Sequence, residues 1–219
     1  MNSVQRLEWM RGYYAIVDVR PEGLGDLDAI STRATKLLAA GPCCLQLRAK
    51  GADAAAMVAA ALRLRHLCRA ARVPFCVNDR LDVALAVGAD VVHLGQDDLP
   101  LADARRVRAL AKAEGMVIGF STHDRAQALA AAAGGADYLG FGPVFATGSK
   151  VNPDPVVGLE ALAGVCAAVR IPIVAIGGIG LDAVSAVVRA GAAAAAVIGA
   201  VNGAADPTAA ARAVAAAFA

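Results

Sequence analysis

No pair among the five cysteines is spaced as CxxC, and an odd number cannot close a complete disulfide set. A disulfide framework and a cysteine zinc site are therefore unsupported, and reduced thiols in a cytoplasmic setting fit this usage best. Aromatic residues make up only 4% of the chain, the net charge is +2, and no basic stripe is interleaved with aromatics. Nucleic acid is accordingly not an expected partner. The least polar late stretch, Gly191 to Val201, is shorter than the ~20 residues a membrane helix needs and is mostly alanine. It reads as a buried strand, and no membrane partner is expected. The opening MNSVQRLEWMRG carries charge where a secretory signal needs an apolar segment, so residues 1–12 read as an exposed lead-in. No GxGxxG follows the first strand pattern, and no Walker A loop is present.

What the chain has instead is a rhythm. It is 58% hydrophobic and 18% charged, enough apolar material for a sizeable core within 219 residues. Short β-branched or apolar runs near 13–19, 43–48, 75–78, 91–94, 117–121, 138–142, 171–177 and 194–199 alternate with longer alanine- and leucine-rich segments. Eight nearly all-apolar strands separated by helices specify an α/β fold, a single (β/α)8 TIM barrel with parallel strands over residues 13–219. A doubly wound open sheet is the structural rival, disfavoured because polar residues gather at strand C-termini along the whole chain. Asp53 suits the N-cap of a helix running to Ala71, and Asp206-Pro207 suits the start of the last one. Gly41, Gly88, Gly115, Gly134 and Gly191 sit where helices would end before the next strand. Alanine-rich helix faces suit either packing or solvent, so they specify no oligomeric state.

Barrel enzymes assemble their sites at the C-terminal ends of the strands, which directs attention to those positions. The second strand ends Gln46-Leu47-Arg48-Ala49-Lys50, and period two puts the amide and both cations on one face. The third ends Asn78-Asp79-Arg80, and the fourth leads through VVHLGQDDLP to Asp97 and Asp98. Asp79 and Asp98 are hard-oxygen groups on adjacent strand ends, suited to Mg²⁺, which keeps water or phosphate oxygens for the rest of its octahedron. Each acid taken alone is also a fitting cap for the helix that follows it. His93 reads as a packed, hydrogen-bonded histidine, His66 as a surface residue, and His123 as a candidate for substrate contact. The sixth strand delivers FGPVFATGSK, whose Thr147, Gly148, Ser149 and Lys150 suit a phosphate. Glycines in IGGIG and at Ile198-Gly199 suit a second phosphate near the last two strands, although tight turns use glycine too. Two anion sites result, one cationic and metal-linked, one built from glycine amides.

The runs LQLRAK, VNDRLDVALAVGADVVHLGQDDLP, IGFSTHDRAQA, ADYLGFGPVFATGSK and PIVAIGGI, in this order, closely resemble thiamine-phosphate synthase, over roughly residues 13 to 215. The resemblance implies a Mg²⁺-dependent transferase joining 4-amino-2-methyl-5-(diphosphooxymethyl)pyrimidine to 4-methyl-5-(2-phosphooxyethyl)thiazole, with release of diphosphate. It implies that Gln46, Arg48, Lys50, Asn78, Ser121 and Lys150 contact the pyrimidine diphosphate. Asp79 and Asp98 are then the metal ligands, and Thr147, Ser149, Gly178, Ile198 and Gly199 the thiazole phosphate region. Arg48, Lys50, Lys150 and Ser121 are the residues implied in catalysis. Two departures stand out: Ser149 where the family commonly has threonine, and Gly199 where a serine is usual. The alternatives are a thiazole tautomerase paralogue using His123, a non-catalytic protein binding thiamine precursors, and a phospho-sugar barrel, for which no central base is evident.

Overall fold

A computed structural model describes residues 7–148 and 154–219. Ser149 and Lys150 lie outside the described residues. Eight parallel strands close into a barrel in chain order: β1 (Gly12–Asp18), β2 (Cys44–Arg48), β3 (Phe75–Asn78), β4 (Val91–Leu94), β5 (Val117–Thr122), β6 (Tyr138–Phe141), β7 (Ile173–Ile176) and β8 (Ala194–Ala196). Pairing of Gly12 with Ala194 closes the ring between β1 and β8. The open-sheet rival is thereby excluded.

Around the barrel lie α1 (Leu27–Leu38), α2 (Ala54–Ala71), α3 (Leu81–Val87), α4 (Leu101–Leu110), α5 (Arg125–Ala133), α6 (Gly158–Ala168), α7 (Val184–Arg189), the short α8 (Gly199–Asn202) and α9 (Pro207–Ala216). Asp53 caps α2 by accepting from Ala56 N at 2.9 Å, and Asp206 caps α9 through Thr208 N and Ala209 N. Gly88 ends α3 in the left-handed conformation. Gly115 is no cap, because α4 already ends at Leu110, with Ala111 as its C-cap. At the end of α2 that left-handed position is taken by Arg72, a residue type the glycine pattern does not reveal.

Strand alternation sorts side chains into two cores. Leu45, Leu47, Phe75, Val77, Val92, Leu94, Leu139 and Phe141 point outward into the larger core under the helices. Tyr14, Ile16, Cys44, Cys76, Val91, Tyr138 and Val174 belong to a second cluster, made by the inward phase of the strands. Leu7 and Met10 join this second cluster with only 4% and 1% of their surface exposed. The expectation of an exposed lead-in is therefore corrected at Leu7 and Met10, while Glu8 and Arg11 are exposed: the N-terminal ends of the strands leave an apolar mouth that the two buried side chains cover. Arg11 Nε also donates to Phe218 O at 3.1 Å, tying the segment to the C-terminus.

β8 is shorter than its apolar run suggests. Ile198 leaves the strand and its carbonyl accepts from Asn202 N at 2.8 Å, so Gly199 opens α8 instead of ending a strand. All five cysteines are free thiols. Among the described residues no helix is long and apolar enough to cross a membrane.

Candidate active site

A cavity of about 580 Å³ opens at the C-terminal ends of the strands. Gln46, Arg48, Lys50, Asn78, Asp79, Asp98, Ser121, Thr147, Gly178, Ile198 and Gly199 all line it. The structure thus brings together every expected site residue that it describes, from seven of the eight strands or the loops after them. The alternation of β2 and the residues just after it explains the first three, since Leu47 and Ala49 between them are buried in the outer core.

Arg48 is held from one side. Its Nη1 donates to Asp18 Oδ1 at 2.6 Å across the β1–β2 pair, where the two residues are register partners. Asn78, only 8% exposed, and Gln46, 3% exposed, are polar groups that the fold keeps inside, which requires hydrogen-bond partners.

Neither carboxylate caps a helix. α3 starts with Arg80 at its N-cap position and α4 with Pro100, and neither has a side-chain cap. Asp79 adopts a left-handed φ of 65°, and Asp98 Oδ2 accepts from Gly95 N at 2.6 Å. The two carboxyl groups instead act on each other at the cavity rim. Burial pushes the Asp79 carboxyl up to about 6, reinforced by the neighbouring Asp98 and opposed by Lys50 and Arg48. Two hard-oxygen groups whose burial and mutual repulsion make ionisation costly are a fitting seat for a dication that would relieve both. Among the described residues no set of three or more histidine, cysteine or acidic side chains is placed to hold a metal. Further ligands would then be water or substrate oxygens, the usual habit of Mg²⁺.

His66 is exposed, as anticipated. His93 is hydrogen-bonded through both ring nitrogens, to Tyr138 Oη at 2.9 Å and Ser121 Oγ at 2.8 Å. It also lines the cavity, which the reading of a merely packed histidine missed. His123 lines it as well; its Nδ1 lies 2.6 Å from Gly142 O and its Nε2 3.5 Å from Asp154. Tyr14 and Tyr138 reach the cavity too. Their inward strand phase was the available signal, but tyrosine in an apolar strand looks like core.

Gly178 has a φ of 64°, and a β-carbon there would strike the carbonyls of Phe145 and Ala146. The turn after β7 therefore presses directly on the loop that carries Thr147. Gly199 has open space around it.

Residues 13–201 match the family model described as thiamine monophosphate synthase. The chain belongs to this family. It is 47% identical over 216 residues to a thiamine-phosphate synthase of Anaeromyxobacter dehalogenans, covering 99% of this chain and 91% of that one. A thiamine-phosphate synthase of Methanocella arvoryzae is 46% identical over 199 residues, covering 91% and 92%. The solved thiamine phosphate pyrophosphorylase from Pyrococcus furiosus superposes with a TM-score of 0.83 at 36% identity, covering 97% of both chains. A 3-hexulose-6-phosphate synthase at 20% identity and TM-score 0.66 shares the fold alone. Membership in the thiamine-phosphate synthase family makes the protein an enzyme, a transferase of thiamine biosynthesis.

Proposed function

We propose that the protein joins 4-amino-2-methyl-5-(diphosphooxymethyl)pyrimidine to 4-methyl-5-(2-phosphooxyethyl)thiazole, or to its carboxylated precursor, giving thiamine phosphate and diphosphate. The observation that carries this reading is the Asp79–Asp98 carboxyl pair on the same cavity wall as Arg48 and Lys50. A diphosphate with its metal needs both acids and cations, whereas isomerisation of a thiazole or simple retention of a precursor does not.

Asp79 and Asp98 would hold Mg²⁺, which when bound neutralises charge on the diphosphate oxygens. Arg48, oriented by Asp18, and Lys50 provide fixed positive charge for the departing diphosphate, with Lys150 from the loop after β6 as a third cation. Charge grows on that group as its bond to the pyrimidine methylene breaks, so these cations act most strongly in the transition state. The methylene left behind is electron-poor and is stabilised by the ring amino group. Gln46, Asn78 and Ser121 orient the ring, and the thiazole nitrogen attacks the methylene carbon. No protein nucleophile takes part. Thr147, Ser149 and the backbone around Gly178, Ile198 and Gly199 hold the thiazole phosphate, which keeps the nitrogen in line with the methylene.

Diphosphate release from the purified protein tests this directly. Release that requires both substrates and Mg²⁺ is the expected result. Binding of the thiazole phosphate without release would overturn it in favour of a tautomerase or a precursor-binding protein.

A further inference from the structure

The barrel interior holds an unbroken run of hydrogen bonds from Gln46 to Ser121. Gln46 Nε2 lies 3.1 Å from Tyr14 Oη, which lies 2.9 Å from Tyr138 Oη. Tyr138 Oη lies 2.9 Å from His93 Nδ1, and His93 Nε2 lies 2.8 Å from Ser121 Oγ. Each middle link is ambiguous alone, since a hydroxyl both gives and accepts and an imidazole carries its proton on either nitrogen.

The Gln46 end gives the run a direction. Cys76 directs its S–H to Val77 O at 3.6 Å, so its sulfur accepts from Gln46 Nε2 at 3.7 Å. That contact keeps the amide nitrogen of Gln46, which only donates, turned toward Cys76 and Tyr14. The arrangement giving every later group one acceptor and one donor role then runs outward. Tyr14 donates to Tyr138, Tyr138 donates to His93 Nδ1, and the imidazole proton sits on Nε2 and is given to Ser121. The Ser121 hydroxyl has its own proton left to aim into the cavity that it lines.

The surrounding backbone is shaped to this run. A β-carbon on Gly119, the register partner of Tyr138, would collide with the tyrosine ring, and one on Gly140 would come 3.1 Å from His93 Cε1. Burying several polar groups where apolar ones would fill the space is costly unless each is paired. All of them are paired: among the described residues no buried side-chain nitrogen or oxygen lacks a partner.

We propose that Tyr14, Tyr138 and His93 are positioning residues that hold the Ser121 hydroxyl as a hydrogen-bond donor toward a ring nitrogen of the aminopyrimidine. This rests on the pyrimidine-binding role argued above. The direction of the run is testable without any turnover. ¹⁵N NMR of histidine-labelled protein, with His93→Gln used to assign the signal, should show His93 as the Nε2–H tautomer. The Nδ1–H tautomer would overturn the proposal even if the enzyme is active.

Kinetics test the consequence. Tyr138→Phe should raise KM for the pyrimidine diphosphate roughly tenfold, the scale of one hydrogen bond, while inhibition by Mg²⁺-diphosphate stays unchanged. The same change in a Ser121→Ala background should add nothing, because the run then ends on no hydroxyl. His93→Gln, whose amide can accept and donate in the same sense, should retain more activity than His93→Leu. Losses in Tyr138→Phe and Ser121→Ala that simply add, or a weakened diphosphate inhibition, would reduce these residues to packing. A wild-type protein that releases no diphosphate would instead remove the functional reading and leave the tautomer result standing.

Discussion

Asp79 and Asp98 line the barrel mouth together, and burial, then the neighbouring Asp98, pushes the Asp79 carboxyl up to about 6. A carboxyl whose folded value exceeds its unfolded one of about 3.9 binds its proton more tightly when folded. The stabilisation it provides is complete below pH ~4 and disappears as pH rises through 6. Its size is on the order of 1–2 kcal/mol after discounting for solvent screening. Metal-free wild-type protein should therefore lose stability between pH 4 and 6.5 relative to Asp79→Asn, which lacks this titration. Parallel unfolding curves for the two proteins across that range would contradict the carboxyl pairing.

On the proposed function the same pair is needed for turnover. Asp98→Ala should lower kcat by about a hundredfold or more with the fold intact, because charge on the departing diphosphate is then poorly matched. Lys150→Ala should do likewise. Steady-state diphosphate release with circular dichroism decides this, and near-normal turnover in either variant contradicts the assignment.

Arg48 depends on Asp18 for its orientation, through the 2.6 Å contact between register partners. Asp18→Ala should raise KM for the pyrimidine diphosphate about three- to tenfold. It should cost less than about 1 kcal/mol in stability, because the pair is partly open to solvent. Unchanged kinetics would mean that Arg48 is held by something else.

The two glycines of the proposed phosphate region should respond in opposite ways. Gly199 has open space beside it, so Gly199→Ser restores the hydroxyl usual in the family without strain and should lower KM for the thiazole phosphate about threefold. Gly178→Ala forces a left-handed residue against the Phe145 and Ala146 carbonyls and should displace the loop bearing Thr147. Its KM for the thiazole phosphate should rise at least tenfold. Calorimetric binding of the thiazole phosphate to both variants separates these outcomes.

His123 touches Gly142 O and faces Asp154. If the protein acts as a synthase, His123→Ala should change kcat for diphosphate release by less than about fivefold, since no proton transfer is asked of it. A loss of several orders of magnitude would point to acid–base chemistry of the tautomerase kind.

Eight nearly all-apolar runs determined from sequence alone a parallel sheet covered on both sides, because only such a sheet accepts these strands, and the β1–β8 pairing settled the barrel over the open sheet. Period two likewise determined that Gln46, Arg48 and Lys50 share a face, and strand-end position gathered Asp79, Asp98 and Ser121 with them. Tertiary structure decided what depends on neighbours distant in sequence. The register of β1 on β2 gives Arg48 its anchor in Asp18. Closure of the ring brings Tyr14 of β1 against Tyr138 of β6, a contact 124 residues apart that no local pattern encodes. Capping, too, was the local alternative for Asp79 and Asp98 each taken alone, and the backbone around them excludes it, since α3 and α4 begin without either side chain. Local periodicity sets which way a side chain faces, but only the closed barrel sets what it meets there.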